Sequence, residues 1–270
     1  MIRPIWLIAS GVLIEAIRRK EIYVLVLTAT LLIGAVLTVD FFDIEGLSKF
    51  YREIALKVMS YTTALAVIVL AARQLPREFE KRTIYPLLAR PISRFQFLLG
   101  KLFGVMLSAM FCFALFMAIY LLGSWYLSHG TTQAYIGEET TALKMAMLFL
   151  QYVYLQILML LILATMSFWL SMFLNFDAAV AIGAILFIFA SLFMSALSYL
   201  YDYTSAIGQW LLVGLTFGIP QLSLFDLSDK AVHAWDPLPW QPVAGLTVYA
   251  LVFSAIFFGL AMLLFRRRAI

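Results

Sequence analysis

The sequence is poor in the residue types that build most catalytic and metal sites. Its 270 residues include one cysteine, Cys112, and two histidines, His129 and His233. A single cysteine excludes an internal disulfide, and neither histidine has a cysteine or carboxylate at metal-ligand spacing. No serine lies in a nucleophile-elbow pattern, and no apolar run contains a histidine that could act as a base. The sequence therefore predicts neither an enzyme nor a metal centre.

Charged residues are also scarce, at 13% of the chain, whereas hydrophobic residues make up 64%. A chain of this length cannot bury so much apolar surface in one water-soluble core, so lipid must be its main solvent. We predict an all-α membrane protein in which residues 1–270 form one transmembrane domain. Six apolar runs are candidate transmembrane helices: residues 22–39, 58–72, 102–127, 145–174, 178–200 and 243–265. The run 58–72 is short and can span only if its helix continues into both flanks.

None of the six runs contains Asp, Glu, Lys or Arg. Proton-driven pumps and ion channels usually need such groups at membrane depth, so both classes are disfavoured. The chain also lacks a G-x-x-x-x-G-K-[ST] loop for nucleotide phosphates. We predict that the chain binds no cofactor and that a separate subunit supplies the energy for any work it performs. We also predict no nucleic-acid partner.

The distribution of Lys and Arg predicts the orientation. If the amino terminus is cytoplasmic, 14 of the 19 basic residues lie on the cytoplasmic side, together with only 5 of the 15 acidic residues. This asymmetry follows the positive-inside rule and places both termini in the cytoplasm.

Two apolar segments are too short to cross a bilayer. Residues 1–20 have a polar side that includes Arg3 and Glu15 and an apolar side that includes Val12, which predicts an interfacial helix. A frayed start of the first span is the alternative. On the outer side, residues 201–242 contain the ten-residue apolar run 210–219, which predicts a re-entrant hairpin before the last span.

The longest charged cytoplasmic stretch is the loop 73–101, with seven basic and two acidic residues. Pro76 suits the first position of a helix over residues 77–85, and Pro86 and Pro91 would bound a second short turn. Ser93 and Gln96 fit a capping box that opens the third span.

Leu87 and Leu88 are expected to be exposed in this loop, within a collar formed by Arg82, Arg90 and Arg94. An apolar knob with a basic collar suits a groove on an acidic partner. Insertion of the leucines into the inner leaflet, with the arginines on anionic lipid, explains the pattern equally well.

The same loop resembles the coupling-loop signature of ABC type-2 permeases, whose consensus is E-x-E-x-G-T, then L-L-x-x-P-[IV]-S-R, then G-K. The matching segments are EFEKRT (78–83), LLARPISR (87–94) and LLGK (98–101). The chain departs from the pattern at Arg82, where glycine is usual, and at Pro86. The layout also resembles that family: an elbow helix, six spans, a coupling loop after the second span and a re-entrant element. The TIY variant at residues 83–85 most resembles the branch linked to multicopper-enzyme maturation, including the nitrous-oxide-reductase system.

The resemblance implies a permease subunit of an exporter in the inner membrane of a prokaryote. It also implies a homodimer, or a heterodimer with a like subunit, bound to two ATP-binding-cassette subunits that carry ATP and Mg. The residues it assigns to contact with the ATPase are Glu78, Glu80, Arg82, Thr83, Leu87, Leu88, Arg90, Pro91 and Asp177. Asp177 has the alternative role of capping the fifth span. A membrane assembly or signalling protein that recruits a partner through the loop is the alternative function.

Two groups of polar residues lie within the spans. Gln151 and Gln156 give the fourth span a polar side, and Ser191 and Ser195 share a face of the fifth. They could line a substrate path, but interhelical hydrogen bonding and close helix packing explain them at least as well. The sequence does not identify a substrate.

Overall fold

The computed structural model describes residues 2–37, 47–80, 93–130, 142–203, 208–210, 214, 218–233 and 235–267, and every structural statement below concerns these residues. Within them the regular structure is helical and no strand occurs. The helices are α1 (Ile2–Ile17), α2 (Lys20–Leu37), α3 (Leu47–Glu80), α4 (Arg94–Gly130), α5 (Ala142–Leu170), α6 (Phe176–Tyr203), α7 (Ser228–His233) and α8 (Trp240–Arg267), with a 3₁₀ turn at Leu222–Phe225. The predicted all-α class is confirmed.

Four of the described helices are long and apolar enough to cross a membrane: Lys49–Pro76, Arg94–Tyr126, Ala146–Leu170 and Trp240–Arg267. Within α6, Phe176–Leu192 is a shorter apolar helical segment. The chain is therefore a multi-pass helical membrane protein. The described residues of the predicted runs 22–39 and 178–200 lie in α2 and α6.

Helix α3 corrects one prediction about the loop 73–101. Pro76 does not begin a separate helix but lies inside α3, which continues to Glu80. Proline in a helix interior costs about 3 kcal/mol, because one backbone hydrogen bond is lost and the ring crowds the preceding turn. Burial of Ala71, Ala72 and Leu75 on neighbouring helices offsets that cost. The same extension gives the short run 58–72 the length of a span.

Helices α3 and α4 pack in opposite directions. Near one end Gln74 contacts Lys101, and near the other the Tyr51 hydroxyl donates to the backbone oxygen of Tyr120 at 3.3 Å. The end of α3 and the start of α4, which flank residues 81–92 in the sequence, therefore lie at the same end of the bundle. This arrangement places the predicted coupling segment between two long packed helices.

Helix α1 packs against the first turns of α4 at two glycines. A Cβ atom at Gly104 would lie 2.6 Å from Val12 Cβ and 2.9 Å from the Ala9 backbone oxygen, and one at Gly100 would lie 3.0 Å from Ile8 Cβ. From the Ile8–Gly100 contact to the Val12–Gly104 contact, both residue numbers increase by four, so α1 and α4 are parallel here. Only glycine permits this approach, as in G-x-x-x-G packing of membrane helices.

The segment before α8 folds onto the opposite end of the bundle. It contains the 3₁₀ turn and α7, and it buries Leu222, Phe225 and Val232. Lys57 of α3 forms an ion pair with Asp229 of α7 at 3.2 Å. The predicted re-entrant run 210–219 lies mostly outside the described residues, so the hairpin stays a prediction.

Candidate functional site

The predicted ATPase-contacting residues fall into two groups. Arg82, Thr83, Leu87, Leu88, Arg90 and Pro91 lie outside the described residues. Glu78 and Glu80 are in the last turn of α3, and Asp177 is an exposed residue in the first turn of α6. Asn175 occupies the position before α6, so Asp177 acts inside the first turn, where its charge interacts favourably with the helix dipole.

The capping box at the start of α4 is confirmed. The Ser93 N–H donates to Gln96 Oε1 at 3.0 Å, and the Gln96 N–H donates to Ser93 Oγ at 3.2 Å. These reciprocal bonds satisfy two backbone donors that the helix start leaves open. They define the start of α4 at Arg94.

A buried lysine joins the two helices that flank residues 81–92. Lys101 Nζ donates to Gln74 Oε1 at 3.1 Å and lies 5.8 Å from the centre of the Phe97 ring. Only 7% of Lys101 and 5% of Gln74 are exposed, so the charge of this lysine is held within the protein. The contact sets the spacing of α3 and α4 where they leave the bundle. The sequence placed Lys101 in the charged loop 73–101 and in its G-K motif, but gave no sign of this contact.

Arg73 connects three helices at the same end. Its guanidinium donates to Glu21 Oε1 of α2, and its Cζ lies 4.8 Å from the centre of the Phe176 ring at the start of α6. Burial by itself would raise the pKa of Glu21, but the hydrogen bond and charge of Arg73 outweigh it and hold that pKa below its usual value. Arg73 therefore ties the last turns of α3 to both α2 and α6.

Helix α8 ends against the start of α4. Arg94 Nη1 donates to the backbone oxygen of Arg266 at 3.1 Å, and the rings of Phe97 and Phe265 stack 6.0 Å apart. We call this end of the bundle the basic end. It contains Arg73, Arg94, Lys101, Arg266 and Arg267.

Of the candidate path residues, Gln156 bonds between helices. The Ser60 hydroxyl donates to Gln156 Oε1 at 3.2 Å and accepts from Gln156 Nε2 at 2.9 Å. One turn away, the Tyr152 hydroxyl donates to the backbone oxygen of Leu56 at 3.3 Å. The two partners are 96 residues apart in both pairs, so residue numbers increase in the same direction along α3 and α5 and the two helices are parallel. These bonds satisfy polar groups buried between the two helices.

Gln151 bonds to a different partner. Its Nε2 donates to the Leu238 backbone oxygen at 2.8 Å, and its Oε1 accepts from the Leu238 N–H at 2.9 Å. Ser191 donates within its own helix to the Phe187 backbone oxygen at 2.8 Å, and the side chain of Ser195 lies outside the described residues. The contacts of Gln151, Gln156 and Ser191 thus belong to separate places and do not form one polar surface.

The end of the bundle opposite the basic end is held by ion pairs that sequence reasoning did not find. Lys57 contacts Glu53 at 3.3 Å as well as Asp229. Lys144 Nζ lies 2.6 Å from Asp236, and this hydrogen bond and charge lower the pKa of that carboxyl group. Glu53 and Lys57 are four residues apart on α3, but the pairs with Asp229 and Asp236 join residues far apart in sequence, so only the fold reveals those two.

The described residues include no group of three or more His, Cys, Asp or Glu side chains that could hold a metal ion.

Comparison with protein families assigns the chain. Residues 16–190 match the family described as ABC-2 family transporter protein, a range that covers well over half of the sequence and includes α3, α4 and the loop between them. No curated protein matches the chain. The chain belongs to the ABC-2 family of transporter proteins.

Proposed function

We propose that this chain is the membrane permease subunit of an ATP-driven exporter, and that a separate ATP-binding-cassette subunit docks at its basic end. Family membership supports transport. The observation that carries the coupling role is the contact between Lys101 and Gln74. It joins the helices on either side of the docking segment, so a displacement of residues 81–92 reaches both.

The docking segment uses the residues predicted from the sequence. Leu87 and Leu88 enter a groove on the ATPase, and Glu78, Glu80 and Arg90 pair at its rim. The other predicted contacts with the ATPase are Arg82, Thr83, Pro91 and, from α6, Asp177. The ATPase carries ATP and Mg, and its closure moves the segment.

The contacts at the basic end spread that movement. Arg73 passes displacement of α3 to α2 and α6, and Arg94 passes displacement of α4 to the end of α8. Packed helices joined in this way shift as rigid bodies. The motion opens a path between two copies of the permease.

The membrane arrangement completes the proposal. Helices α2 and α6 join the four long helices to make six spans, because the 18-residue run 22–39, most of which lies in α2, would rise about 27 Å as a helix and approach the thickness of the hydrocarbon layer. The clustering of arginines at the basic end supports a cytoplasmic location for that end and both termini, in the inner membrane of a prokaryote. Helix α1 is the interfacial elbow, residues 210–219 are the re-entrant element, and the chain acts as a homodimer in the branch linked to multicopper-enzyme maturation.

The experiment is co-purification of the chain with the products of its neighbouring genes, among which the proposal expects an ATP-binding-cassette ATPase. We expect Leu87→Asp to lose the ATPase, because a carboxylate cannot enter an apolar groove without a large desolvation cost. Leu224→Asp is the matched control, since Leu224 is an exposed leucine at the opposite end of the bundle. If Leu87→Asp retains the ATPase with normal ATP turnover, the docking proposal is wrong.

A further inference from the structure

A cavity of about 90 Å³ lies between α1, α2 and α4, and neither the family nor the proposed coupling role accounts for it. Its lining residues come from the end of α1, the start of α2 and the middle of α4. They are Leu13, Ala16, Ile17, Ile22, Tyr23, Val26, Ser108, Phe111, Cys112 and Leu115. The cavity therefore sits beside the turn that connects α1 to α2.

The cavity suits hydrocarbon better than water. Its walls are almost entirely apolar, and the hydroxyl of Ser108 is already used, because it donates to the Gly104 backbone oxygen at 2.8 Å. A buried water needs two to four polar partners, which these walls do not offer. Tyr23, Phe111 and Leu115 are also exposed on the outside of the bundle, so the cavity opens toward the bilayer.

Three basic residues lie in the sequence between two residues that line the cavity. Ile17 and Ile22 line it, and the turn between them carries Arg18, Arg19 and Lys20. Arg19 is paired with Glu15 one helical turn earlier. Arg18 and Lys20 are exposed, so their charges remain available to an anionic group beside the cavity.

We infer that the cavity and this turn together bind one anionic phospholipid. An acyl chain occupies the cavity, and the phosphate lies on Arg18 and Lys20. The cavity volume accommodates part of one acyl chain but is too small for a protein helix. A second copy of the protein is disfavoured at this site, because its own basic turn would repel this one. The inference holds whether or not an ATPase docks on residues 81–92.

The test is native mass spectrometry of the protein released from nanodiscs of equal dioleoylphosphatidylcholine and dioleoylphosphatidylglycerol. We expect the wild-type chain to retain phosphatidylglycerol in preference to phosphatidylcholine. Arg18→Gln and Lys20→Gln should each weaken that retention about fivefold, the effect of removing one cation near a membrane surface. Arg267→Gln removes an exposed cation from the basic end away from the cavity and should change nothing.

The apolar part is tested with the basic turn intact. Val26→Phe fills the cavity from α2, and Ala16→Leu fills it from α1 in case the first variant folds poorly. Both should reduce retention of phosphatidylglycerol. Equal retention of the two lipids by the wild-type chain would overturn the inference, as would an equal loss in Arg267→Gln and Arg18→Gln. It also fails if cavity filling breaks an oligomer while the lipid count is unchanged, because a second copy then occupies the site.

Discussion

Lys101 donates a hydrogen bond to Gln74 across the two helices that carry the segment 81–92, at 3.1 Å and with both side chains buried. Neither residue lies in an apolar run, and their separation in sequence gives no sign of the contact. A buried charge is tolerated when polar groups and an aromatic face surround it, and Phe97 supplies such a face here. The pair fixes the position of the end of α3 relative to the start of α4.

The first prediction concerns this pair. Lys101→Met leaves the Gln74 amide buried without its donor and should lower the free energy of unfolding by about 1–3 kcal/mol. Gln74→Leu should do the same, because it removes a hydrogen-bond acceptor from the buried charge. The double variant should cost less than the sum of the two single variants. Unfolding in sodium dodecyl sulfate, followed by circular dichroism, measures all three, and additive effects would show that the side chains are not coupled.

The second prediction is a pH dependence at Glu21. Because the Arg73 contact lowers the pKa of Glu21, the stabilisation is present above the pKa of the unfolded state, near 4.5, and is lost as pH falls through the lower pKa of the folded state. The pair is partly exposed, so we expect roughly 0.5 kcal/mol. The melting temperature of the wild-type chain should therefore fall more steeply below about pH 5 than that of the Glu21→Gln variant.

The control for that prediction is Arg73→Met. In its background, Glu21→Gln should no longer alter the pH profile, since the partner that lowers the pKa of Glu21 is gone. Identical slopes for the wild-type chain and Glu21→Gln would contradict the assigned pair.

The third prediction tests the contact between α1 and α4. Gly104→Ala places a methyl group 2.6 Å from Val12 Cβ and 2.9 Å from the Ala9 backbone oxygen, so α1 must move. We expect a loss of about 1–3 kcal/mol in the free energy of unfolding, and faster proteolysis within α1. Gly259→Ala in α8 is the matched control, because its new Cβ would have no neighbour within 4 Å. A stable Gly104→Ala with a protected α1 would contradict the packing described here.

The fourth prediction separates helix packing from substrate passage at Gln156. Gln156→Leu removes the partner of Ser60 and should destabilise the protein by about 1–3 kcal/mol. Adding Ser60→Ala should recover part of that loss, because the unpaired hydroxyl is then gone. The same unfolding titration measures both variants. If Gln156→Leu leaves stability unchanged but abolishes substrate-stimulated ATP turnover in the complex, Gln156 belongs to the path.

The sequence was sufficient where local chemistry decides the structure. Apolar run length predicts the membrane class, and the Ser93 and Gln96 pair predicts the start of α4, because a capping box needs only residues three apart. Local rules were wrong at Pro76, because burial of neighbouring residues in α3 outweighs the cost of proline. The contact between α1 and α4 had a readable signal in Gly100 and Gly104, which are four residues apart. The Arg73 and Lys101 contacts had none, since they depend on which helices pack together.

The central claim is that residues 81–92 face the cytoplasm and receive the ATPase. Its most direct test uses Arg90→Cys in a Cys112→Ser background, which removes the only native cysteine. A membrane-impermeant maleimide should label Arg90→Cys in inverted membrane vesicles and not in intact cells, and co-expressed ATPase should suppress that labelling. Asp236→Cys, at the opposite end of the bundle, should give the reverse pattern. Labelling of Arg90→Cys in intact cells would contradict the account.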